Sequence, residues 1–281
     1  MFDCSHSPVV YQDAKHGMVD STVHNIQHAV ANKWLVFVGD STIRMLFHLL
    51  LGIVMFSWPE WPMGLSYHGP KWMNAQGCIP FGNRSESNKC LNDVYFKGMR
   101  FTLVWSDYGA REQLQPLITL ARATAISSPS AIIVGIGAWH VAFRSLETEE
   151  FELHLMKMLH DLSGAFTDAH GAPEIQQPKS RHLVLGLNSC VRFERPKQAA
   201  MQILTEEGHS QAAIGTLLHE VAARKGWLFF DRALPTNGVC NATDCRFGGV
   251  HPTGESLNVV LKLMLLELFP SSNLRVHDAS T

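Results

Sequence analysis

Five short, almost wholly apolar runs constrain this chain most: Trp34–Val38, Phe101–Trp105, Ala131–Val134, Leu183–Leu185 and Trp227–Phe230. None alternates polar with apolar residues, so each reads as a strand buried on both faces. Longer stretches with helical spacing separate them. The spacing predicts helices over Thr42–Leu51, Glu112–Ala125 (with Pro116 in its first turn), Leu146–Leu162 and Glu255–Leu268, the last capped by Thr253. Gln198–Lys225 holds one long helix or two. Strands buried on both faces and alternating with helices imply a parallel sheet covered on each side. The expected fold is α/β, a three-layer α/β/α sandwich on an about five-stranded parallel sheet. Residues 57–100, rich in Pro, Gly and Trp at their start, read as a loop-rich insertion, and residues 1–32 as an N-terminal extension. The insertion is not expected to fold alone, so one domain is expected.

Composition narrows the function. Of 281 residues, 46% are apolar and 17% charged, which provides a core and argues against disorder. The 23 Lys and Arg nearly balance the 25 Asp and Glu, for a net charge of −2. No basic field is present to hold a nucleic-acid backbone, and no polybasic run to hold a membrane surface. The longest apolar run, Leu49–Phe56, is too short for a bilayer span, which takes about 20 residues. The first residues show no leader pattern, so the chain as written is expected to be soluble, or the lumenal part of a longer protein. Six cysteines, Cys4, Cys78, Cys90, Cys190, Cys240 and Cys245, include no CxxC pair. Sequons at Asn83 and Asn241 adjoin Cys78/Cys90 and Cys240/Cys245, although chance alone supplies roughly one sequon in a chain like this. Together they favour an oxidising secretory-pathway lumen or the extracellular side over the cytoplasm. No phosphate-cradling glycine motif and no metal-ligand spacing occurs, so no resident cofactor or metal is expected.

In a parallel sheet of this kind, chemistry gathers beyond the carboxyl ends of the strands. The first such end is Gly39-Asp40-Ser41, between a strand and a helix. A serine there has its hydroxyl near the unpaired N–H groups of the helix start, which suits a nucleophile whose attack creates an oxyanion. The plainer reading is a helix N-cap, a position that Asp40 and Ser41 both suit. His251, in Gly248-Gly249-Val250-His251-Pro252-Thr253-Gly254, lies just before the last helix on the same predicted sheet edge, and histidine is the usual general base.

Phe37-Val-Gly-Asp-Ser-Thr-Ile-Arg44, Ile133-Val-Gly-Ile-Gly-Ala-Trp-His140 and the block around His251 together resemble the SGNH/GDSL hydrolase superfamily. The finer pattern is similar to its PC-esterase branch, which includes the trichome-birefringence-like and sialate O-acetyltransferase catalytic domains. The resemblance implies an SGNH/flavodoxin-like sheet and an acyl-ester enzyme with Ser41 as nucleophile and His251 as base. It further implies oxyanion or substrate contacts from Ser41 N–H, Gly109, Gly137 and Trp139, with Asp40 and Arg44 in the same block. Trp139 stands where the superfamily usually has Asn, and its indole N–H remains a donor. The usual acid three residues before the histidine is replaced by Gly248. Three readings stay open: Asp244 orients His251 (Asp231 being the other carboxylate), a backbone carbonyl does so, or the chain is an inactive, glycan-binding or scaffold relative. The implied partner is a carbohydrate or other acyl-ester substrate, with acetyl-CoA or a like acyl donor if the reaction is a transfer. Trp58, Trp61, Tyr67 and Trp72 suit either sugar stacking or packing of the insertion.

Overall fold

A computed structural model describes residues 18–19, 23–57, 79–80, 90–106, 111–123, 128–143, 147–167, 180–187, 211–232, 254–270 and 276–277. Its elements in chain order are β1 (Met18–Val19), α1 (Val23–Ala29), β2 (Trp34–Gly39), α2 (Ser41–Phe56), β3 (Ile79–Pro80), β4 (Cys90–Phe96), β5 (Met99–Trp105) and α3 (Arg111–Ala123). There follow β6 (Ala131–Gly135), α4 (Ala138–Phe143), α5 (Thr148–Thr167), β7 (Arg181–Leu185), α6 (Gln211–Arg224), β8 (Leu228–Phe230), α7 (Gly254–Leu268) and β9 (Val276–His277).

Among the described residues the main sheet has seven strands in the order β3-β4-β5-β2-β6-β7-β8, and β1 pairs with β9 apart from it. The five apolar runs are the parallel strands β5, β2, β6, β7 and β8. After β2 the chain adds β5 on one side and then crosses to add β6 on the other. This is a doubly wound sheet whose winding reverses at β2, and the cleft of such a sheet opens at the carboxyl end of that strand.

Each strand sends alternate side chains to opposite faces. Leu35 and Phe37 join α1, α2 and α7 in one core, whereas Val36 and Val38 join α3, α5 and α6 in the other. This is the three-layer arrangement expected. Helix α2 is buried along most of its length because α1 and α7 pack beside it while the sheet lies beneath. That explains why Leu49–Phe56 is apolar all round: it is the second half of a core helix.

The structure corrects several expectations. Residues 90–96, read as insertion loop, form β4, and the adjoining strand begins at Met99 rather than Phe101. The two make a hairpin whose turn residues Lys97 and Gly98 have φ of 47° and 79°. The sheet is therefore mixed, with an antiparallel edge added to the five parallel strands. Asn92 and Asp93 disguised the strand. Asp93 satisfies its carboxylate with Arg100 (2.8 and 3.0 Å) and the Thr102 hydroxyl (2.6 Å). Helix α2 continues to Phe56 and is capped by Ser57 in the left-handed conformation. Pro116 lies at the sixth position of α3 rather than in its first turn. Residues 23–29, placed in the extension, form α1 and pack on the sheet core.

Candidate active site

The site is built at the carboxyl end of β2. There the chain must leave a crowded sheet and start a helix within two residues. Gly39 allows this with φ of 156°, and a Cβ on it would lie 2.0 Å from the Gly135 carbonyl oxygen. The turn is tied to both neighbouring strands: Ser106 N–H donates to the Gly39 carbonyl (2.8 Å), and Asp40 N–H donates to the Gly135 carbonyl (3.2 Å). Ser41 thus stands where β5, β2 and β6 end together.

Asp40, not Ser41, is the N-cap of α2. Its Oδ1 accepts from Thr42 N–H (2.9 Å) and from the Thr42 hydroxyl (2.7 Å). Ser41 becomes the first helical residue, at the end where backbone N–H groups point out of the helix. It is 5% exposed, against 0% for Asp40. The helix dipole favours negative charge at this end.

Asp40 is a costly cap. Burial pushes its carboxyl above the ordinary 3.8, opposed first by the charge of Arg232, then by the Thr42 hydrogen bonds and Arg44. Arg232, after β8, is itself buried. It donates through Nε to the Gly186 carbonyl at the end of β7, and through Nη1 to the Thr42 hydroxyl (2.9 Å). Burial lowers its guanidinium to about 10, opposed by Asp40 and Asp231, so it stays charged at neutral pH. Arg44 is buried as well, with its guanidinium 4.7 Å from the centre of the Trp105 ring.

At the end of β5, the buried Ser106 hydroxyl donates to Gln113 Oε1 of α3 (2.8 Å). At the end of β6, Gly137 takes a φ of 110° and its carbonyl accepts Val141 N–H (2.9 Å), which starts α4. Trp139 belongs to α4. His140, one residue on, is buried and stacks on Phe151 of α5 with ring centres 4.6 Å apart.

Of the residues expected from sequence, the structure brings Asp40, Ser41 and Arg44 to the carboxyl end of β2, with Gly137 and Trp139 following the neighbouring β6. Asp40 is committed to capping α2. Asp231 lies at the end of β8, where its charge acts on Arg232. Gly109, Asp244, Gly248, His251 and Thr253, with the aromatic group Trp58, Trp61, Tyr67 and Trp72, lie outside the described residues, as do both sequons. Sequence reading missed Arg232. The signal was an arginine two residues beyond an apolar strand, in Leu228-Phe229-Phe230-Asp231-Arg232. Among the described residues no group of three or more His, Cys, Asp or Glu is placed to hold a metal ion, and no helix is long and apolar enough to cross a membrane.

No protein-family model matches the chain, and no curated protein matches it. Among solved structures it is similar to an aryl esterase from M. smegmatis, with 14% identity over 85% of this chain and 99% of that one (TM-score 0.44). It is also similar to a lipase/acylhydrolase from Enterococcus faecalis, with 10% identity over 86% of this chain and 98% of that one (TM-score 0.46). A third is a peptidoglycan O-acetylesterase, with 9% identity over 90% of this chain and 95% of that one (TM-score 0.42). The strand order and the two helical layers, rather than these likenesses, carry the fold assignment.

Proposed function

We propose that the protein is an acyl-ester enzyme with a serine nucleophile, acting by O-acetyl transfer to, or O-deacetylation of, a carbohydrate. One observation carries the reading: Asp40 takes over the capping of α2, so Ser41 occupies its first turn where the sheet reverses its winding. A serine needed only as a cap would occupy the cap position itself. In the proposed reaction, Ser41 Oγ attacks the acyl carbonyl while His251 takes its proton. The negative charge on the carbonyl oxygen meets the Ser41 N–H and the positive end of α2. Collapse expels the donor's alcohol or thiol, which His251 protonates. Water or a sugar hydroxyl then takes the acyl group from Ser41 by the same steps reversed. Asp244 is proposed to orient His251 from behind the ring. Gly109, Gly137, Trp139 and Arg44 are proposed to line the oxyanion or substrate side. Acetyl-CoA or a like donor is required only for the transfer reaction, and the proposed setting is the secretory-pathway lumen or the extracellular side.

A fluorophosphonate probe tests the assignment, because it forms a stable bond only with an activated serine. Wild type is expected to label and Ser41→Ala to remain unlabelled; equal labelling of the two removes the proposal. A second reading, an inactive glycan-binding or scaffold relative, rests on Gly248 standing where an orienting acid is expected. Hydrolysis of p-nitrophenyl acetate that is lost in His251→Ala excludes it. A missing orienting acid lowers rate without abolishing it, because serine and oxyanion donors remain.

A further inference from the structure

Arg232 takes no part in the chemistry just described, yet it heads the fully buried side chains of the described residues by volume. Taking a guanidinium out of water is costly unless its donors and charge are satisfied. Its bonds reach two other parts of the fold. Nε donates to the carbonyl of Gly186 beyond β7, and Nη1 donates to the Thr42 hydroxyl in the first turn of α2. That hydroxyl passes its own proton bond to Asp40, whose carboxylate also caps the helix. Ser41 lies between Asp40 and Thr42, the two residues this chain of bonds holds.

We infer that Arg232 is a positioning residue of the Ser41 site: it fixes the first turn of α2, and with it Ser41, against the carboxyl ends of β7 and β8. The inference rests on the reading of Ser41 as nucleophile. Lysine cannot replace it, because a single ammonium lacks the planar fork that serves two acceptors in fixed directions. An apolar residue would fill the space and leave the buried Asp40 carboxylate without its principal opposing charge. The charged groups facing this pair are Arg44 from α2 and Asp231 from the end of β8. Arg232 therefore also opposes the upward push that burial gives the Asp40 carboxyl.

The test compares wild type, Arg232→Lys, Arg232→Met, Asp40→Asn and the double variant Asp40→Asn/Arg232→Met. Each is checked for folding by circular dichroism. Fluorophosphonate labelling rate and urea midpoint are then followed from acid to mildly alkaline pH. Arg232→Lys is expected to fold and to label about 10-fold or more slowly, the cost of a misplaced nucleophile. Arg232→Met is expected to move the acid limb of labelling upward by about one pH unit or more, since a neighbouring cation lowers a carboxyl by that order. In the Asp40→Asn background that movement is expected to vanish. Labelling at the wild-type rate in both Arg232 variants overturns the inference, as does an Arg232→Met loss independent of pH and of Asp40. Should Arg232→Met fold only together with Asp40→Asn, that rescue is the expected coupling. If wild type itself does not label, the nucleophile reading fails separately. The urea midpoints then decide: additive losses in the Asp40/Arg232 cycle overturn the link, and a smaller Arg232→Met loss in Asp40→Asn upholds it.

Discussion

At Gly39 the geometry admits one residue. Its φ of 156° and the Gly135 carbonyl 2.0 Å from any Cβ leave no room for alanine, because the obstacle is backbone in the middle of the sheet. Gly39→Ala is expected to cost about 3 kcal/mol or more, by overpacking and backbone strain together; a denaturant midpoint within error of wild type would contradict this. Asp40 gives a pH-dependent outcome. Its folded-state carboxyl lies above the 3.8 of an ordinary aspartate, so the folded protein holds this proton more tightly than the unfolded chain. The linked stability is therefore fully present below 3.8 and is lost as pH rises through the folded value. Relative to Asp40→Asn, wild type should gain stability as pH falls toward 3.8. Urea midpoints for the two proteins that run parallel across this window would show that Asp40 is not so perturbed.

At the scale of elements, the β4–β5 hairpin adds an edge that the apolar pattern alone does not reveal. Its two-residue turn needs positive φ at both positions, which Lys97 supplies at a cost and Gly98 supplies freely. Lys97→Asn is expected to stabilise by about 0.5 kcal/mol. Gly98→Ala is expected to destabilise by about 1 kcal/mol or more, since its φ is 79° and its Cβ would lie 2.7 Å from Asn32 Oδ1. Thermal or chemical unfolding that ranks the two the other way would refute the turn assignment. The hairpin register is held on one side by Arg100, paired with Asp93 and stacked 4.0 Å from the Trp34 ring centre. Polar residues thus stabilise a strand that sequence reading assigned to loop, because their partners come from the neighbouring strands. The five parallel strands and helices α2, α3, α5, α6 and α7 were legible, since unbroken apolar runs and helical spacing survive any tertiary arrangement, whereas α1, the short α4 and the two-residue strands were not. Boundaries shifted where a cap or a flanking helix intervened, as at Phe56.

Across the whole molecule, burial is concentrated in the parallel strands that have helices on both faces. Residues of β2 and β6 are buried along their entire lengths, whereas Leu228 on the edge strand β8 is 42% exposed. Amide hydrogen exchange is expected to be slowest in β2 and β6 and fastest in β3 and β8, because central strands open only on global unfolding. Exchange of β2 at edge-strand rates would show that the sheet is not the cooperative unit. The same layering makes the carboxyl end of β2 rigid: every strand that meets there is held on both faces. A nucleophile placed on it keeps its geometry without depending on a mobile loop.

The amino-acid sequence by itself determined the class of fold and the position of Ser41 at a strand end. Both follow from local facts, namely which runs are apolar and which residues break a strand into a helix. Tertiary structure alone decided that Asp40 rather than Ser41 caps α2, that Asn92 and Asp93 belong to a strand, and that Arg232 reaches Thr42 across 190 residues of sequence. Those choices depend on where a polar group finds its partner once water has been removed. Partners brought together by folding leave no periodic trace in the chain.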